Sequence, residues 1–120
     1  MIDVQNKSFD EPDEVREMPF GRGDIVNIGG GQVALLTLRP GWRWSEHVKP
    51  ITQTEWCEAP HFQYLMTGRM HVVTSDGQEF DVLPGTVNYL PPGHDAWVVG
   101  EDTVTGIDWG GAHVWAKPHG

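Results

Sequence analysis

The chain has 120 residues, 38% hydrophobic and 21% charged, which is enough for one soluble domain with its own core. Its 17 acidic residues against 8 Lys and Arg give a formal net charge of −9, which argues against nucleic acid and anionic membranes as partners. Cys57 is the only cysteine and no signal-peptide pattern opens the chain, so we expect a cytoplasmic protein without an internal disulfide.

The first 22 residues are polar and acidic and predict an N-terminal arm, with one helical turn over DEVREM. Short strand-like runs separated by Gly and Pro then follow, at 24–28, 32–38, 41–48, 61–67, 70–75, 78–83, 86–90, 95–99 and 103–108. This spacing is typical of an all-β domain, so we predict an antiparallel sandwich or barrel over 23–112 with little or no helix. Residues 113–120 are predicted to form a tail or an edge strand.

Two connections between these strands stand out. Asp76-Gly77 is a strong hairpin signal, because this dipeptide suits the left-handed backbone of a tight turn. The segment PITQTEWCEA, residues 50–59, breaks the alternation of apolar and polar residues. We predict it as a loop, and loops of this length on a β scaffold are often functional.

Three histidines occupy corresponding places at strand ends. Along 41–48 the alternation places His47 on one face, His61 begins the strand that follows the loop, and His94 begins a third strand behind the stiff turn PPG. Three imidazoles that meet at one rim could hold a transition metal and leave a coordination position open.

Two motifs in the second half of the chain carry a family resemblance. The first reads Gly41, five residues, His47, one residue, Lys49, and then His61, six residues, Gly68. The second reads GTVNYLPPGHDAWVVG, residues 85–100. Together they resemble the two motifs of the cupins, small antiparallel β-barrels of the jelly-roll kind.

The resemblance implies a single-domain cupin and, in that family, a metal held by three His and one Glu. The corresponding positions in this chain are His47, Lys49, His61 and Ala96, so one family ligand is retained, and His94 lies two residues before the last position. A shift of two residues along an extended strand keeps a side chain on the same face.

Three interpretations follow for these residues. In the first, His47, His61 and His94 form a rebuilt metal site for Fe, Zn, Mn or Ni, with Glu55 or Cys57 as an extra ligand. In the second the metal is lost, and His47 and His61 serve as acid/base groups or, with Lys49, bind an anion. In the third the histidines are structural.

Other residues near the motifs are candidates for a substrate pocket. We predict Lys49, Cys57, Gln63 and Trp97 to line it, with Gln63 orienting the ligand and Trp97 contacting a planar group. His71 faces the core if the Asp76-Gly77 loop has two residues and faces solvent if the strand bulges. His113 and His119 are predicted to be exposed.

The preferred interpretation is a small-molecule enzyme with His47 and His61 as catalytic groups. The resemblance implies isomerase, cyclase, lyase or dioxygenase chemistry, between which a fold cannot choose. The alternative is a non-catalytic module, with or without a metal, that binds a small ligand. The excess of aromatic residues and the exposed edges of the sheet also predict a homodimer.

Overall fold

The structure, a computed structural model, describes residues 3–109 of the chain. Within that range it has nine strands and two single-turn helices. In chain order they are β1 Glu14–Met18, β2 Gly21–Ile28, β3 Gly31–Leu38, α1 Trp44–His47, α2 Lys49–Thr52, β4 His61–Thr67, β5 Met70–Thr74, β6 Glu79–Val82, β7 Val87–Leu90, β8 His94–Val98 and β9 Val104–Asp108. Neither helix is long and apolar enough to cross a membrane.

The strands form two antiparallel sheets with a jelly-roll arrangement, which confirms the predicted all-β class. The larger sheet has the order β1-β2-β3-β9-β4-β7, and the smaller one has the order β6-β5-β8. The two sheets do not close into a continuous barrel. Their inward faces meet in a core of fully buried aliphatic side chains, among them Ile25, Leu38, Val72, Val82 and Val104. Each such side chain contributes about 1.5–3 kcal/mol by leaving water.

The N-terminal part of the chain departs from the predicted arm. Glu14–Met18, predicted to include a helical turn, is a strand that pairs with β2 in the register Glu14↔Ile25 to Met18↔Gly21. Arg16 and Met18 are buried against the sheet, and this alternating burial favours a strand over a helix. Strand pairing therefore reaches back beyond residue 23, where we placed the start of the barrel.

The predicted strand over 41–48 is also wrong, because Trp44–His47 and Lys49–Thr52 are helical turns. Pro50 lies in the first turn of α2, where its missing N–H costs no hydrogen bond. The Asp95 carboxylate of β8 accepts a hydrogen bond from the Ser45 N–H (3.1 Å) and contacts the Arg43 guanidinium (3.4 Å). These contacts fix α1 against the smaller sheet.

The hairpin predicted at Asp76-Gly77 is present, but its loop has three residues. Thr74 bonds Gln78 across the turn, and Gly77 takes a positive φ of 90°. This loop places His71 opposite Asp81 on the outer face, where its ring bonds the carboxylates of Asp81 (2.7 Å) and Glu79 (2.9 Å). His71 therefore does not face the core, whereas His113 and His119 lie outside the described residues.

Candidate metal centre

A pair of backbone contacts brings the loop residue Cys57 beside His94. The Cys57 N–H donates to the His94 carbonyl (2.8 Å), and the Gly93 N–H donates to the Cys57 carbonyl (2.7 Å). Gly93 has a positive φ of 93°, a conformation that glycine adopts without strain. The turn PPG thus turns the chain so that His94 and Cys57 lie on neighbouring segments.

His61 enters the same space from the larger sheet. As the first residue of β4 it points inward, as do Gln63 and Leu65 further along the strand. The rings of His61 and His94 are 5.1 Å apart between centroids. The Cys57 Sγ lies 3.7 Å from the His61 Nε2.

Together, Cys57, His61 and His94 form a buried cluster of potential metal ligands. One ligand atom from each residue lies within 4.8 Å of the others. The three residues are only 3%, 5% and 2% exposed. A thiol and two imidazoles so close together in a dry interior are the donor types that transition metals bind.

The outer ring nitrogens of both histidines are already hydrogen-bonded. His61 Nδ1 bonds the carboxylate of Asp108, and His94 Nδ1 lies 2.9 Å from the Pro91 carbonyl. A carbonyl or carboxylate oxygen accepts, so each Nδ1 carries a proton, and Nε2 is the ring atom that each histidine has left for a metal. Metal-binding histidines are held in this way by a second partner. The residues present therefore fit a metal ion.

Hydrogen bonding within the cluster also changes its ionisation. Burial by itself would raise the pKa of the Cys57 thiol, but hydrogen bonds with His61 and His94 outweigh burial and lower this pKa to about 6. Burial would lower the pKa of His61, but the bonds to Asp108 and Cys57 raise this pKa to about 10. Cys57 and His61 therefore form a thiolate–imidazolium pair at neutral pH in the metal-free protein. The thiolate is the form that binds metals, and metal binding would release the Nε2 proton of His61.

A small cavity of about 30 Å³ borders the cluster. Its wall is mostly apolar and includes Leu38, Leu90 and Ala96, and of the described residues no Lys, Arg, Asp or Glu lines it. The indoles of Trp42 and Trp44 line the cavity too, and neither buried Nε1–H has an acceptor among residues 3–109. The cavity has space for about one or two water-sized groups.

His47 lies apart from this cluster, which corrects the predicted meeting of His47 with His61 and His94. Its Nδ1 accepts the Arg43 N–H (3.0 Å), and its ring packs edge-on against Phe20 at 5.0 Å. The helical turn of α1 breaks the strand alternation from which we inferred an inward side chain. Cys57, predicted as a pocket residue or an extra ligand, occupies the third position instead.

The four predicted pocket residues divide into two pairs. Cys57 and Gln63 line the cavity, whereas Lys49 and Trp97 do not. Lys49 begins α2, and Trp97 lies on the outer face of β8, with the Arg43 guanidinium 4.2 Å from its ring centre. Trp97 follows the inward-facing Ala96, so alternation sends it to the opposite face. Glu55, the other proposed ligand, is not in the cluster.

Asp108 is a site residue that the sequence analysis missed. It is 1% exposed and contacts His61 Nδ1 through one oxygen and the Phe62 N–H through the other (3.3 Å). The run TVTGID places Asp108 on the same face as Val104, which is a core position. A buried carboxylate needs a hydrogen-bonding partner, so an Asp at a core position of a strand was the sequence signal that could have identified Asp108.

Comparison with solved structures shows that this architecture is the cupin fold. The chain is similar to an oxalate decarboxylase from Lactobacillus farciminis with a TM-score of 0.61 and 15% identity, over 92% of this chain and 34% of that one. It is similar to a cupin-like protein from Thermotoga maritima (TM-score 0.55, 14% identity, 76% and 68% of the two chains). It is also similar to a cupin-superfamily sugar phosphate isomerase from Silicibacter pomeroyi, with a TM-score of 0.52 and 19% identity over 78% of this chain and 60% of that one.

These likenesses show that the chain has the cupin fold, as its motifs predicted. At such low identities they show the fold alone, and the chain spans only about a third of the decarboxylase. No family model matches the sequence, and no curated protein matches it either.

Proposed function

We propose that this cupin-fold protein is a metal-dependent enzyme acting on a small organic molecule, with Cys57, His61 and His94 as the metal ligands. The observation that carries the proposal is the approach of their three ligand atoms to within 4.8 Å of one another beside a buried cavity. Among the solved cupin structures above, one is an oxalate decarboxylase and one a sugar phosphate isomerase, so the fold supports catalysis in other proteins.

Each residue of the site has a distinct role in this proposal. A bound metal would supply Lewis-acid or redox chemistry toward an oxygen of the substrate. Asp108 holds the His61 ring so that its Nε2 faces Cys57. The apolar wall keeps bulk water from the site, which strengthens electrostatic interactions within it. We also propose a cytoplasmic location, where a reducing environment would keep the free Cys57 as a thiol.

Elemental analysis of the purified protein tests this proposal. We expect near-stoichiometric transition metal in the wild type and loss of that metal in Cys57→Ala and His94→Ala. The variant His71→Ala is the matched control, since it removes a histidine that bonds two carboxylates on the outer face. His47→Ala should also keep the metal. A folded wild-type protein that takes up no metal would contradict the proposal.

A metal-free function is the alternative, and one observation favours it. Cys57, His61 and Asp108 form a chain of hydrogen bonds, thiol to imidazole to carboxylate, which is an arrangement that activates thiol nucleophiles. Rapid alkylation of Cys57 by iodoacetamide in metal-free wild type, slowed in His61→Ala, would support it. Binding of small molecules without metal, thiol reactivity or turnover would instead support a non-catalytic ligand-binding module.

We also propose that two copies associate through an apolar face on the outside of the larger sheet. This outer aromatic face comprises six side chains that are 36% to 63% exposed: Phe62, Tyr64, Met66, Val87, Tyr89 and Trp109. Cross-strand pairing places Phe62 beside Tyr89 and Tyr64 beside Val87, and Trp109 packs on Phe62 at 6.2 Å. The face is therefore continuous and carries no charge.

The area of the outer aromatic face fits a second copy of the chain. Its exposed apolar surface is roughly 600 Å², against about 800 Å² per partner in a stable interface. Sedimentation of the full chain should show a dimer that Tyr89→Asp converts to monomer and that Val15→Asp, on β1, leaves intact. A monomeric wild type, or a dimer that survives Tyr89→Asp, would rule out this interface.

A further inference from the structure

We infer that the Cys57–His61–His94 site is a four-coordinate, zinc-type centre with one open position, and not a six-coordinate iron or manganese centre. The inference rests on the proposed function, because it requires that these three side chains hold a metal. It adds the class of metal and the number of ligands.

The donor atoms are the first reason. Thiolate and imidazole are the ligands that Zn²⁺ takes in proteins, whereas Mn²⁺ and Mg²⁺ favour carboxylate, carbonyl and water oxygens. Of the residues described, no carboxylate belongs to the cluster. Asp108, the nearby acid, has its two oxygens on His61 Nδ1 and the Phe62 N–H. An oxygen-rich coordination shell is therefore not supplied by these side chains.

The spacing of two ligand atoms is the second reason. With bonds of about 2.3 Å to sulfur and 2.05 Å to nitrogen, a tetrahedral angle separates the two atoms by about 3.6 Å. A right angle, as in a six-coordinate site, separates them by about 3.1 Å, or about 3.3 Å with the longer bonds of Fe²⁺ or Mn²⁺. The Cys57 Sγ lies 3.7 Å from the His61 Nε2. This pair is hydrogen-bonded, its spacing is close to the tetrahedral value, and the ligand atoms of the three residues all lie within 4.8 Å of one another.

The cavity is the third reason. Three protein ligands are the usual set of a catalytic zinc, whose fourth position holds water or substrate. The same three residues border the cavity of about 30 Å³, which has space for one or two groups of that size. The site thus combines three side-chain ligands with room for one exchangeable ligand.

Replacement with Co²⁺ tests the inference by a spectrum, independently of any activity. Four-coordinate cobalt should give visible bands on the order of tenfold more intense than those of a six-coordinate site. A sulfur-to-cobalt charge-transfer band should appear in the near ultraviolet, and it can come only from Cys57, since the chain has one cysteine. Equilibrium competition between metals is a weaker test, because most sites bind Zn²⁺ more tightly than Fe²⁺ or Mn²⁺.

Two variants make the spectrum decisive. Cys57→Ser should abolish the charge-transfer band and weaken cobalt binding by at least about 10–100-fold, whereas His71→Ala should leave both unchanged. Thermal melts of each variant establish that it is folded. Cobalt bound with weak six-coordinate bands would overturn the inference and leave the proposed function standing. A near-ultraviolet band that survives Cys57→Ser would overturn both, because it would show that Cys57 is not the ligand that produces it. A folded protein that binds no cobalt would overturn both.

Discussion

The substitution Asp108→Asn examines how the His61 ring is held. The Asp108 carboxylate accepts hydrogen bonds from His61 Nδ1 and from the Phe62 N–H, and it is 1% exposed. An amide has the same shape but only one acceptor oxygen, so one of these two donors must face an NH₂ group. The ring then loses the partner that fixes its tautomer and orientation.

Loss of such a partner lowers metal affinity by about 10–100-fold, which corresponds to about 1.4–2.7 kcal/mol of binding free energy. We expect that decrease for Asp108→Asn, with the variant still folded because its volume is unchanged. Competition against a chelator of known affinity measures the apparent dissociation constant, and a thermal melt measures folding.

The chain offers a matched control for this substitution. Asp81 bonds the Nδ1 of His71 at 2.7 Å, but on the exposed outer face and away from the cluster. Asp81→Asn should leave metal affinity unchanged. Wild-type affinity in Asp108→Asn, or equal weakening in both variants, would refute the role assigned to Asp108.

Two further predictions concern stability. Gly68→Ala should lower the free energy of unfolding by about 2–4 kcal/mol, because φ is 76° and the new Cβ would lie 2.8 Å from a backbone carbonyl oxygen. In Gly77→Ala, φ is 90° but no atom lies within 4 Å of the new Cβ, so the free energy of unfolding should fall by only about 1 kcal/mol. Denaturant titration of both variants measures the two decreases. Two carboxylates raise the pKa of His71, so its contribution is present at low pH and is lost as pH rises through the raised value. His71→Gln should therefore lower the melting temperature at about pH 6 and have little effect at about pH 9, and a uniform decrease would contradict this.

Strand positions were largely predictable because most strands bury one face. The run HFQYLMT was predicted as a strand over 61–67, and β4 has those bounds, with His61, Gln63 and Leu65 buried. Glycine and proline mark the connections, since few other residues adopt the backbone angles of tight turns. The two cupin motifs were sufficient to predict the fold.

The segment that contains Trp42 and Trp44 could not be placed from its pattern. Trp42 and Trp44 are two residues apart, which resembles the alternation of a strand. In the structure both are buried, at 3% and 1% exposed, but Trp44 begins the single helical turn α1. Tertiary packing determines the backbone here, and local periodicity over eight residues does not reveal it. The error displaced His47 from the predicted site.

Cys57 could not be predicted as the third ligand for a similar reason. Cys57 approaches His94 through backbone bonds between residues far apart in sequence. No periodicity in a loop predicts which residue makes such a contact. His61 and His94 were predictable because each begins a strand, whereas Cys57 required the structure.

The position of bound metal in a crystal of the full chain is the most direct measurement. We predict an anomalous-scattering peak about 2.3 Å from the Cys57 Sγ and about 2.0–2.1 Å from the Nε2 atoms of His61 and His94. A peak on other residues, or fully metal-loaded crystals with none at Cys57, would contradict the assignment of this cluster as the metal centre.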